Sequence, residues 1–265
     1  MVAARADQSL ARALGPARRA RYGRRARCIL LNPQQLRVKQ ATLRSRAWRD
    51  SRGAAQALAA HTAPFYFLDF ETLADAVPRW VGARPYQQIP FQFSLHRVGP
   101  RGGERHFGFL DISGKDPRLA LAKALVAACD DGGAVFAYNA RFEAKCLEEL
   151  AKHLAAKAPA RRKLAKALFS IVDRLVDLEP VVRAHYYHPI QKGSWSLKAV
   201  LPALLPKLSY ADLDGVQNGT EAQLAYAEAV DDQTPLQRVR ELHQQLLAYC
   251  ELDTRALVEL WRLLK

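Results

Sequence analysis

The first 60 residues contain almost no acid. They hold 14 Lys and Arg against 2 Asp and Glu, while residues 61–265 hold 26 against 24. The formal net charge of +14 therefore belongs almost wholly to that segment, and the remainder is close to neutral. A near-neutral body argues against a fold that is basic throughout and binds nucleic acid by bulk charge. No run of about 18 apolar residues occurs, so no transmembrane helix and no membrane partner are expected. The Arg-rich N-terminus lacks the apolar centre of a secretory signal and has few of the serines of a transit peptide. The four cysteines, Cys28, Cys129, Cys146 and Cys250, form no C-x-x-C pair and no zinc-like cluster with histidine. Three of them fall in predicted helices, where a buried free thiol is ordinary, and a reducing, cytoplasmic compartment is expected. There is no G-x-x-x-x-G-K-[ST] loop, so ATP-driven activity is not expected, and no Ser/His/Asp elbow stands out.

Two readings fit residues 1–60: a basic arm that docks on phosphates, or a leader without a specific role, which is preferred. Partial helix is expected over 34–60. From residue 64 the pattern becomes regular. Strands are predicted at FYFLDF (65–70), IPFQFSLHRV (89–98) and RHFGFLDI (105–112), the last two joined by a Gly-rich turn. A helix is predicted over 116–130, with Asp116 as N-cap and Pro117 at N1. A fourth strand at 134–138 precedes helices over about 140–156 and 160–173, and LVDL (175–178) reads as a short fifth strand. Further helices are predicted at 196–205, broken by Pro202, and at 220–230 and 235–264. This order implies an α/β fold with a mixed five-stranded sheet: three antiparallel strands, then parallel strands reached through helical crossovers.

Three acidic features interrupt the apolar pattern. Asp69 and Glu71 are two residues apart in an otherwise apolar strand, so both carboxylates share one face. Like charges that close raise each other's pKa or require a cation between them. Glu143 falls in the first turn of the helix after the fourth strand, where Asn139 marks the turn. Tyr249 and Asp253 stand at i and i+4 in the last helix, on the side that carries Leu257. Singly, each has a plain structural explanation: a solvated strand end, an acid facing a helix dipole, or a chance helical pair. Together they describe a cluster of four carboxylates and a tyrosine.

The three features resemble the Exo I, Exo II and Exo III motifs of the DEDD exonucleases, which have the ribonuclease H-like (DnaQ-like) fold, and Tyr249-Cys-Glu-Leu-Asp253 resembles the tyrosine (DEDDy) subclass. More narrowly, FLDFET, RPYQQIPFQFSLH, YNARFE, YYHPIQKGSWSLKAVLP, LSYADLDGVQNGTEA and YCELDT are together similar to the bacterial DUF2779 family over residues 64–265. The resemblance implies a ribonuclease H-like domain at 64–265 following the N-terminal extension. It further implies a 3′–5′ exonuclease that hydrolyses phosphodiester bonds of DNA or RNA from a single-stranded 3′ end. Asp69, Glu71, Glu143 and Asp253 would hold two divalent cations, Mg²⁺ or Mn²⁺, and Tyr249 would orient the attacking water. Most DEDD enzymes carry Asp where this chain has Glu143, whose reach is one methylene longer. Such domains follow a longer nuclease-related region that residues 1–60 do not resemble, so a nuclease-related partner or a missing N-terminal domain is expected.

The same resemblance suggests supporting roles. Thr72 and Leu73 would meet the terminal nucleotide, Asn139 would contact substrate or orient Glu143, and Asp177 would stand behind the site or cap a strand end. Lys192, Trp195 and Lys198 would contact phosphate and stack a base, although Trp195 also reads as core and Lys198 as a solvated helix residue. His185 and His188 lack a trusted metal-ligand spacing and read as local hydrogen-bonding groups. The rival to an enzyme is a module that keeps the fold and binds nucleic acid without cutting it.

Overall fold

The computed structural model describes residues 31–206 and 208–265. Two units divide the chain, Met1–Arg37 and Val38–Lys265. Of the first, residues 31–37 are described. They carry the start of helix Pro33–Leu43 (α1), where Asn32 Oδ1 accepts the Gln35 N–H and Gln35 Oε1 accepts the Asn32 N–H in a reciprocal cap. The expected arm or leader, as far as residue 30, lies outside the described residues.

The second unit starts well before residue 64. After α1 come a two-residue strand, Trp48–Arg49 (β1), and helix Ser51–Leu58 (α2), so residues 38–58 are not simply a helical tail. Asp50 caps α2 by accepting the Gly53 N–H at 2.9 Å, and its other oxygen meets His185 Nδ1 at 3.0 Å. Ala41, Ala54 and Leu58 are buried in the same apolar cluster as Phe65 and Phe67. The boundary expected near residue 60 thus falls inside a packed body, because small and apolar residues of the Arg-rich stretch have core to cover.

Five strands form the main sheet: Phe65–Leu73 (β2), Ile89–Val98 (β3), Glu104–Leu110 (β4), Ala134–Ala137 (β5) and Leu175–Asp177 (β6). Their order is β4-β3-β2-β5-β6, with β2–β3 and β3–β4 antiparallel and β2–β5 and β5–β6 parallel. This is the mixed α/β sheet expected. Between β4 and β5 lies helix Arg118–Ala128 (α3); between β5 and β6 lie Arg141–Lys157 (α4) and Arg162–Val172 (α5). Helix Leu178–His185 (α6), which the sequence reading lacks, leads into Tyr186–Tyr187 (β7), the antiparallel partner of β1. Leu197–Leu204 (α7), Gly219–Ala229 (α8) and the 29-residue Leu236–Leu264 (α9) follow. The α7 helix runs through Pro202 instead of ending there. The cap of α3 also differs from expectation: Pro117 occupies the N-cap, and Asp116 Oδ1 accepts the Arg118 N–H from one position further out. Among the described residues, no helix is long and apolar enough to cross a membrane.

Strand alternation distributes β2 between two cores. Tyr66, Leu68 and Phe70 pack with Leu121, Leu125, Leu147 and Leu168 of α3, α4 and α5. Phe65 and Phe67 point the other way and meet Trp261 of α9 at ring-centroid distances of 4.7 and 5.7 Å. Phe136 of β5 joins them, 5.4 Å from Phe67. Phe91 stacks on Tyr226 of α8 at 4.1 Å in a third cluster that includes Leu73, Leu246 and Tyr249. The aromatic seat under Trp261 fixes α9 against the sheet, so Trp261→Ala is expected to destabilise the protein by about 3–5 kcal/mol. Urea denaturation followed by circular dichroism checks this; a loss well under 1 kcal/mol would show that the seat is not what holds α9.

Candidate functional site

The face of β2 that presents Phe65 and Phe67 also presents Asp69 and Glu71 to α9. Along α9 the inward positions Trp261, Leu257, Asp253 and Tyr249 recur every four residues, so the apolar stripe gives way to a polar level opposite the two acids. Buried polar pins hold the helix in register on either side of that level. Gln92 Nε2 of β3 donates to the Leu246 carbonyl at 2.8 Å, and Ser94 Oγ lies 2.6 Å from Thr254 Oγ1. Ser94 is the direct partner of Asp69 across the strands, and Gln92 the partner of Glu71. A β-bulge follows between Glu71 and Thr72.

Four carboxylates come together here. Glu71, Glu143 and Asp253 are 7%, 2% and 7% exposed. Donor atoms of Asp69, Glu71 and Cys250 all lie within 4.8 Å of one another. Cys250 Sγ stands 3.9 Å from both the carbonyl and Oδ2 of Asp69. Burial, then repulsion from Asp253, Glu71 and Glu143, raises the Asp69 carboxyl well above its ordinary range. Burial and Asp253 push Glu71 up to about 8. Burial also pushes Glu143 up to about 8, with Asp177 adding to the rise. Asp253 rises to about 6 through burial, held back by hydrogen bonds from Tyr210 and Tyr249 and by the charge of Lys198. Glu143 Oε2 is buried with no hydrogen-bond partner. Its carboxylate, on the first turn of α4, is one of the charges that raise Asp69.

One cation and two phenols complete the arrangement. Lys198 of α7 donates to the Gln217 carbonyl at 2.8 Å and to Tyr249 Oη at 3.1 Å. Its ammonium lies 4.9 and 5.0 Å from the ring centroids of Tyr210 and Tyr249. Tyr210 Oη donates to Asp253 Oδ1. Burial, then Asp253, raises both phenols well above their ordinary range, so they stay protonated. The N-terminus of α8 closes one side: a Cβ added at Gly219 would stand 3.9 Å from Glu71 Oε2. Tyr210 and Gln217 are participants that the sequence reading does not single out, and Cys250, read there only as an ordinary free thiol, joins them. The segment YADLDGVQNG could have suggested the first two, but its fold onto α9 is a long-range contact with no local period.

The other expected residues divide. Thr72 is buried and donates to Gln88 Oε1 at 2.5 Å. The Leu73 side chain is core, packed with Phe91 and Tyr226, so it does not face a nucleotide. Asn139 is exposed with a left-handed φ of 64°, and its N–H donates to Asp177 Oδ1 at 2.9 Å. The same Asp177 oxygen accepts the Glu179 N–H and caps α6. Trp195 is not a stacking platform: it is 8% exposed, its indole N–H donates to the Tyr186 carbonyl, and Arg183 and Tyr187 pack on its ring. Lys192 is exposed at the end of a 3₁₀ turn, where His188 caps the first residues. A cleft of about 720 Å³ opens beside the start of α4, lined by Tyr138, Asn139, Arg141, Asp177, Arg183 and the edge of Trp195 among others.

The raised carboxyls set a pH dependence for the protein free of divalent ions. Between the ordinary value of 4.5 and about 8, the unfolded chain has lost the Glu71 and Glu143 protons that the folded chain keeps. The folded state then binds more protons, so stability falls as pH rises through that window. Melting temperatures in chelator should decline from pH 5 to pH 8, and Glu143→Gln should flatten the slope. A profile unchanged by Glu143→Gln would contradict the burial of this charge.

A protein-family model described as "Domain of unknown function (DUF2779)" matches residues 66–196. The match spans Asp69, Glu71, Glu143 and Asp177 and stops short of Lys198, Tyr249 and Asp253. No curated protein and no solved structure matches the chain.

Proposed function

We propose that the protein is a metal-dependent nuclease, a 3′–5′ exonuclease of the DEDDy type on a ribonuclease H-like fold, acting on DNA or RNA. The observation that carries this reading is the convergence of Asp69, Glu71, Glu143 and Asp253 with the Tyr249 phenol. Three separate segments of the chain carry them, and Glu71, Glu143 and Asp253 all act on the charge of Asp69. The mixed sheet, three antiparallel strands followed by two parallel ones, is the arrangement such a fold requires.

The donor set fits hard divalent cations. Asp69 is repelled by Asp253, Glu71 and Glu143, and one buried oxygen of Glu143 has no hydrogen-bond partner, so the group carries charge and a lone pair that a cation would answer. Asp69, Glu71, Glu143 and Asp253 would hold Mg²⁺ or Mn²⁺, which lowers the pKa of water and stabilises charge on the departing 3′ oxygen. Tyr249, kept protonated, offers an O–H or a lone pair to position the attacking water without itself ionising. Lys198 fixes that phenol through its 3.1 Å bond and places one positive charge beside the acids. Tyr210 donates to Oδ1 of Asp253 and fixes the orientation of that carboxylate. Arg141, in the adjoining cleft, supplies charge for a phosphate backbone.

Mn²⁺-dependent digestion of 5′-labelled single-stranded DNA and RNA tests the reading. A ladder shortening from the 3′ end is expected, abolished in Asp69→Ala with the fold retained. Full activity in Asp69→Ala would overturn the assignment. Nucleic-acid binding without cleavage in the folded wild type would favour the non-cutting module, with Glu143→Asp the first variant to make. In the active protein, Tyr249→Phe should lower kcat by about 10²-fold or more with little change in KM. Lys198→Ala should reproduce part of that loss; wild-type kcat in both variants would remove the phenol from the mechanism.

A further inference from the structure

A second cluster of donors lies beside the acids, two residues along β3 from Ser94, the cross-strand partner of Asp69, and two residues before Asp253 on α9. His96 and His106 are direct partners across the β3–β4 pair, and their ring centroids are 4.6 Å apart. Glu251 of α9 completes the group, and one donor atom from each of His96, His106 and Glu251 lies within 4.8 Å of the others. The ligands of a tetrahedral zinc ion at about 2.0–2.1 Å stand about 3.3 Å from one another, so small side-chain rotations close the difference. A Glu251 carboxylate oxygen already lies 3.8 Å from His106 Nδ1.

Hydroxyl groups hold the two rings in place. Thr254 Oγ1 meets His96 Nδ1 at 2.8 Å, and Ser94 Oγ meets His106 Nε2 at 2.8 Å. The two hydroxyls are themselves bonded at 2.6 Å. One nitrogen of each imidazole is thus bonded to an oriented hydroxyl, which sets the ring's orientation in the cluster. Glu104 approaches His96 Nε2 at 3.9 Å but is paired with both Arg255 and Arg262. Those two arginines direct their charge at Glu104, which leaves Glu251 as the carboxylate of the cluster.

We propose that His96, His106 and Glu251 form a binding site for a borderline-soft transition ion of the Zn²⁺ class, distinct from the carboxylate cluster and independent of the nuclease reading. Nitrogen donors select such an ion over Mg²⁺ or Mn²⁺, whereas the four-carboxylate level does the reverse. Bound there, the ion would tie β3 and β4 to α9 at the point where Ser94 backs Asp69 and Thr254 follows Asp253.

Calorimetric titration of the full chain with Zn²⁺, and absorption with Co²⁺, test the site in the wild type, His106→Gln, Glu251→Gln and an Asp69→Asn/Asp253→Asn double variant. Circular dichroism confirms folding of each. One Zn²⁺ site is expected at micromolar metal in the wild type and in the double variant, with affinity at least about tenfold weaker in His106→Gln and in Glu251→Gln. The Co²⁺ complex should show ligand-field bands that the His106→Gln protein lacks. Binding untouched by both single variants, binding lost with the acidic pair, or no binding to the wild type would each overturn the proposal. His106 sits at the half-exposed end of the cluster, so its replacement leaves the core around His96 intact.

Discussion

Like charge confined between β2 and α9 is the constraint around which the protein is built. Separating such carboxylates into water would be favourable, so something must hold them together against their repulsion. The apolar stripe on α9 does so. Trp261 and Leu257 bind the helix to Phe65, Phe67 and Phe136, and each turn toward the N-terminus carries the same face into a more polar level. Core and site are thus one surface read along one helix. The stabilisation gathered at the Trp261 end offsets the electrostatic cost at the Asp253 end.

Register is as important as attraction, because a slip of one residue on α9 would turn Asp253 away from the sheet. Apolar contacts alone tolerate small sliding, whereas hydrogen bonds to buried partners do not. Gln92 grips the Leu246 carbonyl, and Ser94 grips Thr254, eight residues or about 12 Å further along the helix. Tyr249, Cys250 and Asp253 all lie between these grips. Lys198 and Tyr210 act from outside the helix on the same residues, one through the Tyr249 phenol and one through the Asp253 carboxylate.

Much of this was legible from short-range pattern. Ile89–Val98 was bounded correctly because its alternation ends at a Gly-rich turn, and Asp69 with Glu71 stood out because charged pairs are foreign to a buried strand. Tyr249 and Asp253 declared their shared face through their spacing, and Glu143 its place at a helix start. What was not legible depends on contacts across many residues. Lys198 reads equally well as a solvated helix residue until Tyr249, 51 positions on, is brought to it. Tyr210 carries no signal of its bond to Asp253. Trp195 looked available for stacking because sequence does not reveal that Arg183 and Tyr187 have taken its ring. Residues 38–58 read as part of an extension because Arg and Ala hide a few buried small side chains.

The separation between Asp69 and Asp253 has a temporal consequence. Contacts between distant parts of a chain carry the largest loop-closure cost and tend to form late. The β2–β3–β4 hairpins and the α4–α5 pair are local and can organise first. The last helix must then dock before the fourth acid, the phenol and the lysine share one space. A partly folded chain consequently has most of its sheet and none of its assembled carboxylate cluster, so whatever chemistry the cluster supports switches on only when the native state is reached.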